Sequence, residues 1–288
     1  MLSEGLTLTL PQNEMNQREL VSVIMPTYNS GVYLSDSIES VLDQTYGNLE
    51  LLITDDCSSD EQTQQILQYY QQKDPRVKVF LFDENQGPAV ARNHAIEQAQ
   101  GRYIAFCDSD DRWLPEKLEK QVSLLSQNNY CLVFSSYLKC DAKGNPCGIV
   151  MAPTSISLSG LKRDNKIGCL TAIYDTKPYG KFYMPTIRKR QDWALFLNIL
   201  KKCRTAYALQ EPLALYRKTP ESISRKKFAL LKYNAQVYQT VFGYSKAKSY
   251  AYLYGIFLPS YFTKLLSNKL VSMAHKDEFS QNQTSNPQ

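Results

Sequence analysis

Histidine is almost absent: two occur in 288 residues, His94 and His275, and neither has a cysteine or a second histidine nearby. That argues against a zinc centre of imidazole and thiolate ligands. The seven cysteines are odd in number and scattered, with no C-x-x-C pair. They read as reduced thiols of a cytoplasmic protein, not as a disulfide framework. No apolar run reaches the length of a membrane-spanning helix. The longest candidate, Ala251 to Leu258, is interrupted by Gly255 and stopped by Pro259. Met1 to Leu20 has no basic start followed by an apolar stretch, so it does not read as a secretory signal. Neither G-x-x-x-x-G-K-[ST] nor G-x-G-x-x-G occurs, which argues against a P-loop nucleotidase and a dinucleotide oxidoreductase.

What is present fits a globular protein with a real core: 43% hydrophobic and 21% charged residues. The net charge of +5 conceals a polarity. Residues 1–150 carry 11 Lys and Arg against 21 Asp and Glu, and residues 151–288 carry 22 against 7. An acidic half suited to a metal and a basic half suited to an anionic partner is the reading this split supports. No zinc-finger spacing or RNA-binding aromatic signature accompanies the charge, so nucleic acid is not the expected partner. Between Glu221 and Asp277 there is no acidic residue at all, while lysines such as Lys232, Lys246, Lys248 and Lys264 alternate with Tyr238, Tyr250, Tyr254, Phe257 and Phe262. Residues 225–276 therefore read as a basic aromatic helical extension. Such a segment suits the interface of an anionic membrane on its cytoplasmic side, or packing onto the main domain or a second copy of the chain. Residues 277–288 are polar and read as disordered, and residues 1–19 as an N-terminal extension.

The first 110 residues alternate strand and helix. Val21 to Met25 reads as a strand ended by Pro26, and Leu34, Ile38, Val41 and Leu42 share one helical face. Leu49 to Thr54 is the second strand. Ser59 with Gln62 resembles a capping box opening the next helix. Val77 to Phe82 and Tyr103 to Cys107 are the third and fourth strands, with Pro88 and Gly101 bounding the helix between them. Repeated units of this kind give a parallel sheet flanked by helices. Ligands bind such sheets beyond the carboxyl ends of the strands, where Thr27-Tyr28-Asn29, Asp55-Asp56 and Asp108-Ser109-Asp110 would gather. The pattern then loosens. Pro115 opens a helix, Cys131 to Leu138 is a strand, Ser155 to Lys166 a loop and Gly168 to Tyr174 a strand. Gln191 to Lys202 is an amphipathic helix, and Ala206 to Leu209 and Leu213 to Tyr216 are short strands.

Asp108-Ser109-Asp110 carries the most chemistry. If the strand continues, side chains alternate and the two carboxylates point the same way. Paired carboxylates make a hard oxygen site for Mg²⁺ or Mn²⁺, usually completed by substrate phosphates. The sequence thus points to an enzyme acting on a nucleotide diphosphate.

Several segments resemble those of family 2 glycosyltransferases: Val21 to Asn29, Ser37 to Tyr46, Asp55 to Asp60, Asn85 to Asn93 and Asp108 to Asp111, in the family's order and spacing. The resemblance covers about residues 20–220. Gly168 to Thr171 and Arg190 to Trp193 look closest to enzymes of bacterial surface-polysaccharide assembly, the teichuronic-acid type among them. The resemblance implies a GT-A α/β fold, with a mainly parallel central sheet, over residues 20–224. The nucleotide-sugar half would be 20–111 and the acceptor half 112–224. It implies transfer of a sugar from a nucleotide-diphosphate donor, a UDP-sugar, with inversion, onto a glycan or polyprenyl-diphosphate-linked acceptor. By position, Pro26, Tyr28, Asn29 and Asp56 would lie against the donor nucleotide, and Arg92 and Asn93 near it. Asp110 and Asp108 would hold Mn²⁺ or Mg²⁺ and the donor, and Asp192 would be the general base.

The chain departs from the family where a glycine is usual after the Asp pair, which is Cys57 here, and where an acidic residue often precedes the base, which is Gln191. The Q-x-x-R-W signature of processive synthases is missing, so chain elongation is not expected. A sugar nucleotidyltransferase would need a glycine-rich basic loop after the first strand, which Pro26 to Asn29 does not provide. A non-catalytic nucleotide-sugar-binding protein would have no reason to keep Asp108, Asp110 and Asp192 together.

Overall fold

The computed structural model describes residues 19–218 and 231–263. The expected extension before residue 19, the start of the basic segment (225–230) and everything beyond 263, including the tail 277–288, lie outside the described residues.

The expected βα order holds from the start. Strand β1 (Val21–Thr27) is buried along its whole length, because its neighbours lie in the same sheet and helices cover both faces. It runs through Pro26, which occupies a strand position opposite Thr54 rather than ending the strand. Helix α1 (Gly31–Leu42) turns Leu34, Ile38 and Val41 inward. Strand β2 (Leu49–Asp55) follows, then helix α2 (Glu61–Lys73). The cap of α2 is Asp60, whose carboxylate accepts the Thr63 N–H at 2.8 Å. The Ser59 capping box is thus displaced by one residue, an acid being as good a cap as serine and better matched to the helix dipole. Strand β3 (Val77–Leu81), helix α3 (Pro88–Gln98) and strand β4 (Tyr103–Phe106) complete this half. Gly101 is required by space: a Cβ there would stand 2.6 Å from the Leu20 carbonyl oxygen and 2.7 Å from the Ser22 nitrogen.

Six further strands follow, β5 (Arg112–Trp113), β6 (Leu132–Cys140), β7 (Pro146–Val150), β8 (Ser155–Ser157), β9 (Ile173–Asp175) and β10 (Thr205–Arg217), and among the described residues all ten form one sheet in the order β3-β2-β1-β4-β9-β6-β10-β5, with β7 and β8 on side branches. The run β3-β2-β1-β4 is parallel. Strand β9 (Ile173–Asp175) is antiparallel to both β4 and β6 (Leu132–Cys140), and joins the two halves of the sheet. Strand β5 (Arg112–Trp113) and helix α4 (Lys117–Asn128) lie between β4 and β6 in sequence, with Leu118, Val122 and Leu125 inward as expected.

Three segments of this half differ from the sequence reading. Ser155 to Lys166 is not a loop: it forms strand β8 (Ser155–Ser157) and helix α5 (Leu158–Arg163), with Ser157 capping the helix and Leu161 fully buried. Its helix is short and only Leu161 in it is buried, so it looks like a loop in sequence. Gly168 to Tyr174 is a 3₁₀ turn (Cys169–Thr171) leading into β9, because the Thr171 hydroxyl and N–H both bond to the Gly168 carbonyl. The last two short strands are one, β10 (Thr205–Arg217), which follows the β6–β7 hairpin, helix α6 (Gln191–Cys203) and the rest. Its register against β6 shifts on either side of Pro212, where the missing N–H is absorbed by a bulge.

Helix α7 (Leu231–Phe242) and helix α8 (Lys246–Tyr252), extended by a π turn (Leu253–Phe257), fold back onto α5 and α6. Many of the aromatics read as an interfacial stripe point inward. Tyr238 and Phe257 contact the buried Trp193 at ring distances of 5.6 and 5.5 Å. The Lys162 ammonium lies 4.4 to 4.8 Å from the rings of Phe242, Tyr244 and Tyr252 and donates to the Tyr244 hydroxyl. Truncating a residue such as Trp193 typically costs about 3–5 kcal/mol, so these helices are part of the domain's core rather than an appendage.

One buried cation is independent of this packing. Lys117 is fully buried, donates to Gln121 Oε1 at 2.7 Å and lies 3.9 Å from the Trp113 ring. Burial pulls its pKa down to about 7 from the ordinary 10.5. The unfolded chain therefore binds more protons than the native one between those values, and native stability rises with pH through that window. Lys117→Met should unfold at a higher temperature than the wild type at pH 7, with the advantage shrinking as pH approaches 10. A gap independent of pH would show that the amine keeps an ordinary affinity for its proton.

Candidate active site

The carboxyl ends of β1, β2 and β4 converge, tied by the Asp56 N–H donating to the Thr27 carbonyl and the Cys107 N–H to the Ile24 carbonyl. Pro26 and Tyr28 line this edge, with Tyr28 half exposed. Asn29 adopts a left-handed φ of 48°, and its side-chain oxygen accepts the Ser59 and Asp60 N–H groups. It shapes the β2–α2 loop from below. Asp56 is buried, and its two oxygens accept the Gln86 and Gly87 N–H groups at 2.7 and 2.8 Å. It does not cap α2. It holds the loop that leads into α3. Cys57 has φ 67°, the conformation expected where the family keeps glycine, at a local cost of about 1–2 kcal/mol.

The acidic turn is not an extension of β4. It closes on itself, with the Asp111 N–H donating to the Asp108 carbonyl at 3.0 Å. Helix α1 pins it through the Ser37 hydroxyl, which donates to the Ser109 carbonyl at 2.9 Å. Asp108 and Asp110 are brought together by a turn, not by strand alternation. Burial, and then the charge of Asp108, push the Asp110 carboxyl up to about 6. Asp111, fully enclosed, is pushed well above the usual carboxylate range by burial and by Asp110.

Arg92 organises the opposite side. It lies on α3, almost wholly buried, and its guanidinium pairs with Asp108 and reaches Gln191 Oε1 at 3.5 Å. Burial alone would loosen its proton, but Asp108 outweighs this, so the guanidinium stays charged. Its Nε is buried without a hydrogen-bond partner. Asn93, one residue on, is committed elsewhere: its amide exchanges two hydrogen bonds with the Met184 main chain. It anchors the segment before α6 rather than facing the acidic turn. Asp192 lies in the first turn of α6, partly exposed, 3.4 Å from the Asn165 amide. Arg190 caps α6 in a left-handed conformation, and the Gln191 amide donates back to the Ile187 and Arg188 carbonyls. Gln191 thus replaces an acid with a group that both accepts from Arg92 and locks the helix start.

Sequence reasoning passed over Asp111 and Arg217. Arg217 ends β10, is buried, and donates to the Asp110 carbonyl. The available signal was positional: an arginine directly after the apolar Leu213 to Tyr216, at the same sheet edge as the acidic turn.

Among the described residues, no group of three or more His, Cys, Asp or Glu is arranged to hold a metal ion. Asp108 and Asp110 nevertheless fit a hard divalent ion that takes its other ligands from a diphosphate. Asp110 in particular is a crowded carboxylate whose raised proton affinity a nearby cation would relieve.

A parallel nucleotide-binding half, an acidic turn beyond β4 and a carboxylate opening a helix across from it define a glycosyltransferase of the GT-A type. Solved structures share this fold. Residues 1–349 of S. aureus TarS in complex with UDP-GlcNAc superpose with a TM-score of 0.65 at 24% identity, over 84% of this chain and 72% of that one. Mannosyltransferase PcManGT from Pyrobaculum calidifontis, in complex with GDP-Man and Mn²⁺, gives 0.61 at 17% identity, over 95% and 83%. Residues 22–196 match the glycosyl transferase family 2, and the chain belongs to that family. It is 44% identical over 227 residues to TuaG of Bacillus subtilis, assigned as a teichuronic acid biosynthesis glycosyltransferase, covering 78% of this chain and 90% of TuaG. It is 40% identical to the UDP-Glc:alpha-D-GlcNAc-diphosphoundecaprenol beta-1,3-glucosyltransferase WfgD of Escherichia coli, covering 74% and 83%. The likeness to surface-polysaccharide enzymes expected from Gly168 to Thr171 and Arg190 to Trp193 is borne out.

Asp110→Asn should abolish transfer while leaving the unfolding temperature unchanged or raised, since it removes a crowded carboxylate beside Asp108. Turnover equal to wild type would remove Asp110 from the site.

Proposed function

We propose that this chain is an inverting, non-processive glycosyltransferase. It would move a sugar from a UDP-sugar, with Mn²⁺ or Mg²⁺, to a glycan or polyprenyl-diphosphate-linked acceptor in bacterial cell-surface polysaccharide assembly. The observation that carries this reading is Arg92, which spans from Asp108 to Gln191 and so fixes the acidic turn relative to the start of α6. The names of WfgD and of WfaP, a second Escherichia coli relative 34% identical over 87% of its length, support a UDP-sugar and a lipid-diphosphate acceptor.

In this reading the donor lies over the carboxyl ends of β1, β2 and β4, against Pro26, Tyr28 and the loop that Asp56 holds. A divalent ion bound at Asp108 and Asp110 would offset the charge that develops on the departing diphosphate. Arg92 pairs with Asp108 and orients it, and adds positive charge near the same oxygens. The acceptor hydroxyl attacks from the far side, and Asp192 accepts its proton. Asp192 stands in the first turn of α6, within reach of the Asn165 amide. The new glycosidic bond forms as the bond to the diphosphate breaks, which inverts the anomeric carbon.

The outer face of α8 supports peripheral attachment to an anionic membrane, where a lipid-linked acceptor would be found. Lys246 and Lys248 stand in its first turn, and Tyr254 and Phe262, which follow the helix in the chain, are 58% and 57% exposed. Each lysine near such a surface contributes about 1 kcal/mol.

Three measurements test the reading. Asp192→Asn should lower kcat by about 10²-fold or more with little change in donor affinity. Incubation with a panel of nucleotide sugars and a polyprenyl-diphosphate-linked sugar should give a product whose anomeric configuration, read by NMR, is opposite to the donor's. Retained configuration would refute single displacement. Full-length protein that ignores anionic vesicles at low salt would remove the membrane from the account.

A further inference from the structure

Arg217 makes more connections than any residue around the acidic turn, and it makes them to three separate parts of the chain. Its side chain is 3% exposed. Its main-chain N–H donates to Asp111 Oδ1 at 3.0 Å, and Nε to the Asp110 carbonyl at 3.1 Å. Nη1 donates to the Ala142 carbonyl at 2.9 Å, in the turn between β6 and β7. Nη2 donates to Asp36 on α1 at 3.1 Å, and the guanidinium carbon lies 4.6 Å from the centre of the Tyr33 ring.

The carbonyls of the acidic turn are thereby all directed. That of Asp108 takes the Asp111 N–H, that of Ser109 takes the Ser37 hydroxyl, and that of Asp110 takes Arg217 Nε. Three fixed carbonyls fix the peptide planes, and the planes fix where the Cβ atoms of Asp108 and Asp110 point. We propose that Arg217 is a positioning residue for the transfer reaction. It sets the geometry of the Asp108–Asp111 turn through the main chain, with Asp36 and Tyr33 holding its outer side, and does not itself touch substrate.

The reason for arginine is geometric. Only a guanidinium presents donors in several directions from one rigid plane, so that Asp110, Ala142 and Asp36 are reached together. Lysine would keep the charge and reach one or two of them. The turn would then be free to shift, and a displacement of about 1 Å in a reacting group can lower the rate by 10²-fold. The inference rests on the family's transfer reaction, not on the identity of donor or acceptor argued above.

The test uses Arg217→Lys and Asp36→Ala in the full chain. Arg217→Ala is unsuitable because it strands buried polar groups and risks unfolding. Asp36 is half exposed, so its removal spares the core. Amide hydrogen exchange of a peptide covering residues 107–111 needs no substrate. It should quicken by about 10-fold or more in both variants, while exchange in β1 and β2 stays at wild-type rates. For any donor the wild type turns over, kcat should fall by about 10²-fold in Arg217→Lys and several-fold in Asp36→Ala, with donor KM within about 3-fold. Unchanged exchange in the turn overturns the proposal, whatever the rate does. So does a loosened turn with unaltered kcat, or a rate loss that only tracks a fall in unfolding temperature. Absence of turnover by the wild type on every donor tried would count against the donor assignment, while the exchange result would still decide the role of Arg217.

Discussion

Everything at the working edge of this molecule follows from the difficulty of keeping three carboxylates in four residues at the end of a buried strand. Asp108, Asp110 and Asp111 repel one another, and burial raises the penalty of the charge on Asp110 and Asp111. The chain answers with two buried arginines on opposite sides. Arg92 rises from α3 and pairs with Asp108, while Arg217 arrives from the last strand and binds the Asp110–Asp111 main chain. Neither is near the turn in sequence. The sheet order that places β10 beside β5, and α3 against β1, is what brings them there. The charge on Asp110 is only partly relieved, and that residual demand for a cation is the property a metal-dependent site needs.

The nucleotide half was legible in the sequence because its elements are local and repetitive. A strand, a turn with polar residues and a helix recur three times, so type and order follow from hydrophobic spacing in the first two units and from Pro88 and Gly101 around the third helix. The errors there are single-residue ones, such as Asp60 rather than Ser59 at the start of α2. The second half was less legible for a physical reason. Its strands pair antiparallel across long gaps, and β9 finds its place between β4 and β6 only after both exist. A three-residue strand like β9 or β8 carries no periodicity to read. Helix α5 hides in a polar stretch because only Leu161 of its six residues is buried.

For the site, residue types were legible and tasks were not. Asp108, Asp110, Arg92 and Asp192 were placed at the strand ends or across from them by motif and topology, and the structure brings them together. Asn29, Asp56 and Asn93 were expected to face a ligand, and in the structure their side chains also bond main-chain N–H and carbonyl groups. Spacing says where a side chain starts. It does not say what its hydrogen-bonding groups will meet, and loops full of unpaired amides compete for every carboxylate and amide in reach.

Trp193 stands next to Asp192 in the chain and is walled in by Tyr238 and Phe257, with its indole N–H given to the Leu161 carbonyl. One peptide bond therefore separates the residue assigned to take the acceptor's proton from a wedge gripped by the two C-terminal helices. A push on the outer side of those helices therefore has a short mechanical route to the start of α6, and from there, through the contact of Gln191 with Arg92, to Asp108.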